Sequence, residues 1–336
     1  MWRLEPAWPA PSEHRTNGRH RGPSSFATVS GRELSVLESK ALAAMISVIV
    51  PAHNEEVAIQ RCLSTLLEGA PAANLSMEIL VVCNGCTDRT AEVARGFGRP
   101  VKVLVTARAS KPHALNMGDA AARGFPRVYL DADIELGFDD LRGLTACLSK
   151  PGVLAATARR TLDLSDASSM VRSHYRARSR APYPSHLVGR GIYALSEEGR
   201  QRFGEFPALI GDDLFVQSQF DVEECGLADA VVTVRPPSNL RRLLQVQSRV
   251  AAGTLEYRRK FPSNKQAGSL GQLVRAHAAP TTWPDLALYV GVVALARMKG
   301  RLMLRSGGGP KWESLRPEHS SSQPVSDPDP NSRMGH

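Results

Sequence analysis

Two aspartates in the segment YLDADIE, Asp131 and Asp133, have the spacing of a cation site. They end an apolar run of strand type, and residues two apart in an extended segment point to the same side. Two carboxylates so placed can share a divalent cation, directly or through water. The alternative is a pair of turn-forming or capping aspartates, which is common for an isolated Asp-x-Asp. The polar loops beside this pair favour the cation site.

A second chemical feature is the Cys-x-x-Cys spacing of Cys83 and Cys86 in EILVVCNGCTDRT. Such a pair could be a redox centre, half of a zinc site, or part of a nucleotide-binding loop. No second pair of cysteines or histidines stands at zinc-finger distance, and Val82 is not the Trp or Pro usual before a thioredoxin-type cysteine. We therefore expect a nucleotide-binding loop in which the cysteines are incidental.

Alternating strand-like and helix-like segments position these residues. Apolar, β-branched runs predict four strands, at residues 46–50, 79–82, 101–105 and 128–131. Helical patterns lie between them: one ends at Gly69, one begins near Asp88, and one covers about 114–123. Buried strands separated by single helices predict an α/β fold with a doubly wound, mostly parallel sheet and helices on both faces. Ligands bind beyond the carboxyl ends of such strands, so the loops PAHNEE, CNGCTD and DAD should meet at one edge.

The two ends of the chain differ from this body in composition. Residues 1–44 and 306–336 are rich in Pro, Ser and Gly without a hydrophobic period, which predicts a disordered basic leader and a disordered tail. Met45, just before the first strand, leaves open whether residues 1–44 are translated. The net charge is +9, and the five cysteines are odd in number and irregularly spaced. These features predict a reducing, cytoplasmic location.

The motifs ISVIVPAHNEE, EILVVCNGCTDRT, KPHALNMG, YLDADIE and GDDLF, in this order, resemble the family 2 glycosyltransferases of the GT-A fold. The likeness covers roughly Ile46 to Arg259. It implies one nucleotide-sugar-binding domain, placed at residues 45–262, and a Mg²⁺ or Mn²⁺ ion served by Asp131 and Asp133. It also implies a nucleotide-diphosphate sugar donor and no nucleic-acid partner.

The resemblance further implies which residues bind the nucleotide. They are Asp131 and the residues of the first three motifs: Pro51, Ala52, His53, Asn54, Glu55, Asn84 and Lys111. Asn84 stands where relatives usually have an aspartate that accepts a hydrogen bond from the base, which leaves the nucleobase open. Asn54 or Glu55 could instead cap the next helix, and Lys111 could instead face solvent.

The catalytic group implied by the resemblance is Asp213, as general base on the acceptor hydroxyl. An alcohol is a poor nucleophile until its proton is removed, and a single base without an enzyme nucleophile implies inversion at the anomeric carbon. Asp212 is assigned to the donor and acceptor loop or to a helix N-cap. The Gly-rich turn Gly189, Arg190 and Gly191 is expected to line the donor sugar and acceptor. Arg249 is followed by Val250, so the Gln-x-x-Arg-Trp signature of processive members is absent and a single transfer is expected.

Residues 263–305 are predicted to form a C-terminal helical extension. Its apolar core, residues 286–296, is too short to span a bilayer. Four basic residues follow, so the helix could lie on an anionic membrane surface at the inner face of the plasma membrane, or it could pack on the catalytic domain.

The sequence thus predicts a metal-dependent, inverting glycosyltransferase whose acceptor is a small molecule, a glycan or a lipid-linked molecule. The alternatives are a nucleotidyltransferase of similar α/β fold, or a redox or zinc protein built on Cys83 and Cys86. PAHNEE lacks the Gly-rich phosphate loop of a nucleotidyltransferase.

Overall fold

The computed structural model describes residues 45–70, 76–180, 187–262 and 283–305. The strands are β1 (Ile46–Ala52), β2 (Met77–Asn84), β3 (Val101–Thr106), β4 (Arg127–Leu130), β5 (Ile134–Leu136), β6 (Ala155–Leu162), β7 (Ile192–Leu195) and β8 (Cys225–Val234). The helices are α1 (Glu56–Leu67), α2 (Thr90–Arg95), α3 (Lys111–Ala121), α4 (Phe138–Cys147), α5 (Ser169–Arg180), α6 (Glu197–Gln201), α7 (Asp212–Gln217), α8 (Leu240–Lys260) and α9 (Trp283–Arg305).

The first half of the sheet has the predicted parallel architecture. The strands are ordered β3-β2-β1-β4-β7-β6-β8-β5, and β3, β2, β1 and β4 pair in parallel. Each of the four predicted strands and three predicted helices is present, with ends shifted by a few residues. The predicted fold class is confirmed. Parallel neighbouring strands need a crossover connection, and one helix provides it between each pair of successive strands from β1 to β4.

The second half of the sheet is mixed. Strand β7 lies between β4 and β6 and is antiparallel to both, whereas β6 and β8 are parallel and β5 and β8 antiparallel. The sequence segment Asp131–Asp133 joins β4 to β5, at the point where the chain leaves the parallel half. This switch places the aspartates at the carboxyl end of β4, beside the start of β7.

Helices cover both faces of the sheet because side chains alternate along each strand. In β1, Val48 and Val50 belong to a core cluster that includes Ile59 and Leu63 of α1. Ile49, which points the other way, belongs to a second cluster with Leu115 of α3. These two layers fix the carboxyl ends of β1, β2 and β4 relative to one another.

A buried acid, Asp119, ties α3 to the sheet and to α6. Its carboxylate accepts hydrogen bonds from Arg127 (2.5 Å), from the Tyr129 hydroxyl (2.6 Å) and from the Arg200 guanidinium (2.5 and 2.9 Å). Two arginines and a phenol therefore satisfy one carboxylate. The network holds the helix that begins with Lys111.

Helix α9 lies within the residues predicted to form a helical extension. One side of this helix packs on the folded body. Asp285 accepts hydrogen bonds from Ser173 (2.5 Å) and Arg176 (2.9 and 3.0 Å) of α5. The predicted domain boundary after residue 262 falls at residues outside the described part of the chain. The predicted leader at 1–44 and tail at 306–336 also lie outside the described residues.

Candidate active site

The loops after β1 and β2 are locked together by Asn84. Its side-chain amide donates to the Ala52 carbonyl (2.8 Å), and its side-chain oxygen accepts from the Ser110 amide (3.1 Å). The Asn84 carbonyl lies 2.6 Å from Nδ1 of His53. Asn84 is fully buried, so its side chain joins three loops and presents no acceptor to a bound base. Pro51 and Ala52 are buried as the last residues of β1.

The turn into α1 depends on Asn54, which has a positive φ of 52°. Its side-chain oxygen accepts from the amide of Thr87 at 2.7 Å, which ties the first loop to the second. The N-cap residue of α1 is Glu55, but its side chain forms no capping hydrogen bond. Asp88 supplies it instead, accepting from the Glu56 amide at 3.2 Å and from the Thr90 amide at 3.0 Å. Asp88 thus serves the starts of both α1 and α2.

The two cysteines of CNGC have different surroundings. Cys83 is fully buried in the core cluster against α1, and Cys86 is half-buried in the loop. A hydrogen bond with Cys83 lowers the pKa of Cys86 to about 6. The Cys86 sulfur also accepts a hydrogen bond from the backbone amide of Asn54 at 3.5 Å. Both thiols are free. The described residues contain no group of three or more His, Cys, Asp or Glu side chains that could hold a metal.

Lys111 lies at the first turn of α3 and bridges two of the predicted acids. Its Nζ is 2.7 Å from Oδ1 of Asp131 and 3.1 Å from Oδ1 of Asp212. Burial alone would lower the pKa of Lys111, but these two carboxylates raise it well above its usual range. The lysine is therefore charged and buried, and the solvent-facing alternative is wrong.

Asp212 and Asp213 are adjacent in α7 but differ in exposure. Asp212 is buried, and burial raises its pKa to about 6 against the opposing effect of Lys111. Its Oδ2 finds no hydrogen-bond partner among the described residues, and neither does the buried hydroxyl of Tyr193. The N-cap of α7 is Gly211, so the interpretation of Asp212 as an N-cap is wrong. Asp212 is the buried partner of Lys111.

Asp213 is half-buried and is held by the Gly-rich turn. Its Oδ2 accepts from the Gly189 amide at 2.8 Å, and its Oδ1 accepts from the Leu214 amide at 2.8 Å. At the other end of the turn, the Gly191 carbonyl accepts from the Asp131 amide at 2.9 Å. The turn from Gly189 to Gly191 therefore joins the second acid pair to the first.

Gly191 permits this connection for two reasons. Its φ is +74°, which L side chains rarely adopt, and a Cβ there would lie 2.6 Å from Cδ1 of Ile134. The same Cβ would lie 3.7 Å from Oδ2 of Asp131. The glycine brings the backbone of this turn close to the Asp131 carboxylate.

Comparison with known proteins finds a family that these elements resemble. Residues 47–200 match the family described as Glycosyl transferase family 2. Over these residues the chain is similar to that family. The match contains β1 to β4, Asp131, Asp133 and the Gly-rich turn, and it ends before Asp212.

Named glycosyltransferases are also similar to part of the chain. A dolichyl-phosphate beta-glucosyltransferase of Drosophila melanogaster is 34% identical over 116 residues, which are 31% of this chain and 36% of that protein. EpsJ of Bacillus subtilis (strain 168), an uncharacterized glycosyltransferase, is 32% identical over 92 residues, 26% of each chain. The chain thus spans little more than a third of the first relative and about a quarter of the second.

A solved structure shares the fold of this chain. It is the mannosyltransferase PcManGT from Pyrobaculum calidifontis in complex with GDP-Man and Mn²⁺. The two chains superpose with a TM-score of 0.52 at 21% identity, covering 79% of each. The likeness extends beyond residue 200 and supports a GT-A fold for the body.

Two acids at the carboxyl edge of the sheet, Asp131 and Asp133, fit a divalent cation. Asp131 has a side chain 38% exposed, and Asp133 is exposed at the same edge of the sheet. Carboxylate oxygens are preferred by Mg²⁺ and Mn²⁺, and such ions commonly use one or two carboxylates together with substrate phosphates and water. The donor set is therefore suited to a metal that arrives with a diphosphate.

Arg190 and Arg160 hold the Gly-rich turn by hydrogen bonds. Arg190, within the turn, donates to the Ala158 carbonyl at 3.2 Å, and Arg160 of β6 donates to the Gly189 carbonyl at 2.7 Å.

Sequence reasoning missed Ser110 and Tyr193. Ser110 before Lys-Pro is a typical N-cap signal, whereas a single tyrosine in the apolar strand IYAL gives no such signal.

Proposed function

We propose that this protein is a metal-dependent, inverting glycosyltransferase that moves one sugar from a nucleotide-diphosphate donor to an acceptor hydroxyl. The observation that carries the proposal is the Gly189–Gly191 turn, which hydrogen-bonds to Asp213 at one end and to Asp131 at the other. The proposed base and the proposed metal-binding acid are thus both hydrogen-bonded to one short segment at the carboxyl edge of the sheet. Such an edge is where α/β sheets bind nucleotides.

In this proposal Asp213 acts on the acceptor. Of the two acids in α7 it is the more exposed one, and two backbone amides orient its carboxylate. It would accept the proton of the acceptor hydroxyl while that oxygen attacks the anomeric carbon. The bond from the anomeric carbon to the phosphate oxygen breaks, and the nucleoside diphosphate leaves. Direct displacement of this kind inverts the anomeric configuration.

Lys111 and Asp212 have a supporting part in this proposal. The buried ammonium of Lys111 fixes one oxygen of Asp131, which leaves the second oxygen directed toward the turn at Gly191. Asp131 and Asp133 would hold the Mg²⁺ or Mn²⁺ ion. When bound, the ion supplies Lewis-acid neutralisation of the charge that grows on the diphosphate.

The donor, the acceptor and the location belong to the proposal in general form. One relative is named a dolichyl-phosphate beta-glucosyltransferase, and the mannosyltransferase PcManGT is described in complex with GDP-Man and Mn²⁺. These names support a nucleotide-sugar donor here. The acceptor is a small molecule, a glycan or a lipid-linked molecule. The five free thiols agree with a reducing cytoplasm.

The test is a screen of UDP-, GDP- and dTDP-sugars for release of nucleoside diphosphate in the presence of Mn²⁺ or Mg²⁺. We expect one donor to be hydrolysed or transferred, and EDTA to stop the release. In the variant Asp213→Asn transfer should fall by about 100- to 10,000-fold, the usual contribution of a general base. The matched control is Asp139→Asn, because that side chain is 94% exposed on α4.

The outcomes separate the alternatives. Release of pyrophosphate from a nucleoside triphosphate and a sugar phosphate would instead identify a nucleotidyltransferase. Wild-type transfer by Asp213→Asn, or retained anomeric configuration in the product by NMR, would contradict the assigned mechanism. If Cys83→Ser/Cys86→Ser abolished transfer while Asp213→Asn kept it, the function would lie with the cysteines.

A further inference from the structure

Helix α9 has an exposed apolar face that runs along most of its length. This apolar face of α9 consists of Trp283, Val290, Ala294, Leu295, Met298 and Leu302. Their spacing follows the helical repeat, so the face forms one stripe about 28 Å long at 1.5 Å per residue. Trp283 is 62% exposed and Leu302 is 55% exposed. Large apolar side chains so exposed in one row mark a contact surface.

The opposite face of α9 is already packed, so the helix cannot turn its apolar face inward. Val292, Ala296 and Gly300 are buried toward α5 and α8. A Cβ on Gly300 would lie 2.9 Å from the Ser248 carbonyl oxygen and from the Ala252 amide nitrogen of α8. A helix that is apolar on both sides needs apolar surroundings on both sides.

The charges around the apolar face all have one sign. Its second half is flanked by exposed basic residues, Arg297, Lys299, Arg301 and Arg305. The helix contains one acid in its sequence, Asp285, which faces α5 and is bound to Arg176 there. The exposed surface therefore combines an apolar stripe with four cations, the composition of helices that lie on anionic membranes.

We propose that the apolar face of α9 docks on the surface of an anionic lipid bilayer. The apolar side chains would enter the boundary between headgroups and acyl chains, and the four basic residues would meet lipid phosphates. Trp283 has the amphipathic ring that is enriched at this depth. Among the described residues no helix combines the length and hydropathy needed to span a membrane, which agrees with a helix lying in the interface.

A second copy of the chain fits this face less well than a bilayer does. In a symmetric contact the same patch meets itself, which would bring the basic residues of one helix toward those of the other. Anionic lipid neutralises those charges. The proposal does not depend on the proposed function, because docking needs neither donor nor acceptor.

The experiment is co-sedimentation of the full chain with vesicles of phosphatidylcholine alone and of phosphatidylcholine with one-third phosphatidylglycerol. We expect binding to the anionic vesicles, weaker binding to the neutral ones, and a decrease as salt is raised. The variant Leu295→Gln/Met298→Gln/Leu302→Gln should lose at least about tenfold in binding to both. The variant Arg297→Gln/Lys299→Gln/Arg301→Gln should lose on the order of 100-fold with anionic vesicles only.

The control variants replace other exposed residues. They are Val222→Gln/Val231→Gln for the apolar set and Arg95→Gln/Lys102→Gln/Arg142→Gln for the basic set, and both should bind as the wild type does. Unchanged thermal unfolding would show that the α9 variants are folded. The proposal is overturned if the wild type does not sediment with anionic vesicles, or if control and α9 variants lose binding equally. A dimer that dissociates in the Leu295→Gln/Met298→Gln/Leu302→Gln variant would also overturn it, assigning the face to a second copy.

Discussion

Neighbouring acids acquire different properties in this site because their surroundings differ. Successive residues of a helix point about 100° apart, so α7 directs Asp212 into the protein and Asp213 toward the Gly-rich turn. Asp212 is 5% exposed and contacts the ammonium of Lys111, whereas Asp213 receives backbone amides at the surface. The buried acid therefore balances charge, and the half-exposed one is available to a substrate.

We expect Asp212 to make stability depend on pH between about pH 4 and about pH 6. Its pKa is about 6 in the folded protein and 3.8 without the fold. Because the folded value is the higher one, its stabilising contribution is complete below about pH 4 and is lost as the pH rises through about 6. Relative to Asp212→Asn, the wild type should lose about 1.4 kcal/mol of unfolding free energy between about pH 5 and about pH 8.

The measurement is urea unfolding of both proteins at the two pH values. Asp139→Asn serves as control and should follow the wild type, since Asp139 is exposed. Parallel pH profiles of the wild type and Asp212→Asn would show that Asp212 is not the group responsible.

Gly191 offers a second test at the scale of one residue. Gly191→Ala adds a Cβ 2.6 Å from Ile134 at a φ of +74°, whereas Gly152→Ala adds one at φ +79° into open space. The control should cost about 1–2 kcal/mol from backbone strain alone, and Gly191→Ala about 1–3 kcal/mol more from overpacking. Thermal unfolding and donor binding measured together would check this. Equal destabilisation of the two variants would contradict the close approach.

At the scale of elements, the site depends on loops and helices that are tied together by polar side chains. Asn84 joins the ends of β1 and β2 to the start of α3, and Asp88 serves the first turns of α1 and α2. The network around Asp119 fixes α3 from its other end. These contacts place Lys111 between its two carboxylates, so damage to an element far from the acids should reach them.

We expect Asp119→Asn to destabilise the protein by about 3–5 kcal/mol, because two buried arginines would lose their counter-charge. Burial would raise the pKa of Asp119, but hydrogen bonds from Arg200, Tyr129 and Arg127 lower it below its usual range. Its contribution is therefore complete above about pH 4 and decreases as the pH falls further. Urea unfolding at neutral pH checks the magnitude.

The control for this variant is Asp229→Asn. Asp229 pairs with Arg159 but its side chain is 93% exposed, so its loss should cost less than about 1 kcal/mol. A similar small cost for Asp119→Asn would show that the network does not hold α3.

At the scale of the whole molecule, α9 joins parts of the chain that are distant in sequence. It packs on α5 and on α8, and α8 in turn supports the segment before Asp213. Gly253 of α8 lies against Ile210 and Gly211, and Glu256 accepts from the Ile210 amide at 3.0 Å. One helix thus separates the proposed lipid-binding face from the residues that position Asp213.

We expect Asp285→Asn to loosen α9. The hydrogen bonds from Arg176 and Ser173 lower the pKa of Asp285 to about 2, so its stabilising effect is present above about pH 4 and is lost as the pH falls through about 2. Hydrogen exchange of residues 283–305 should become faster by at least about tenfold in the variant at neutral pH. Asp166→Asn, at an exposed acid 4.0 Å from Arg235, should leave exchange in α9 unchanged. Unaltered exchange in Asp285→Asn would show that other contacts hold the helix.

The sequence by itself determined the parallel half of the fold and the meeting of the loops after β1, β2 and β4 at one edge. Apolar runs and helical periods are local signals, and the rule that parallel strands end together needs no further information. The tertiary structure decided that Lys111 bridges Asp131 and Asp212, and that Asn84 is buried in a loop junction. It also decided that α9 leaves an apolar face exposed. Each of these depends on contacts between residues distant in the chain, since burial and pairing are properties of the packed molecule.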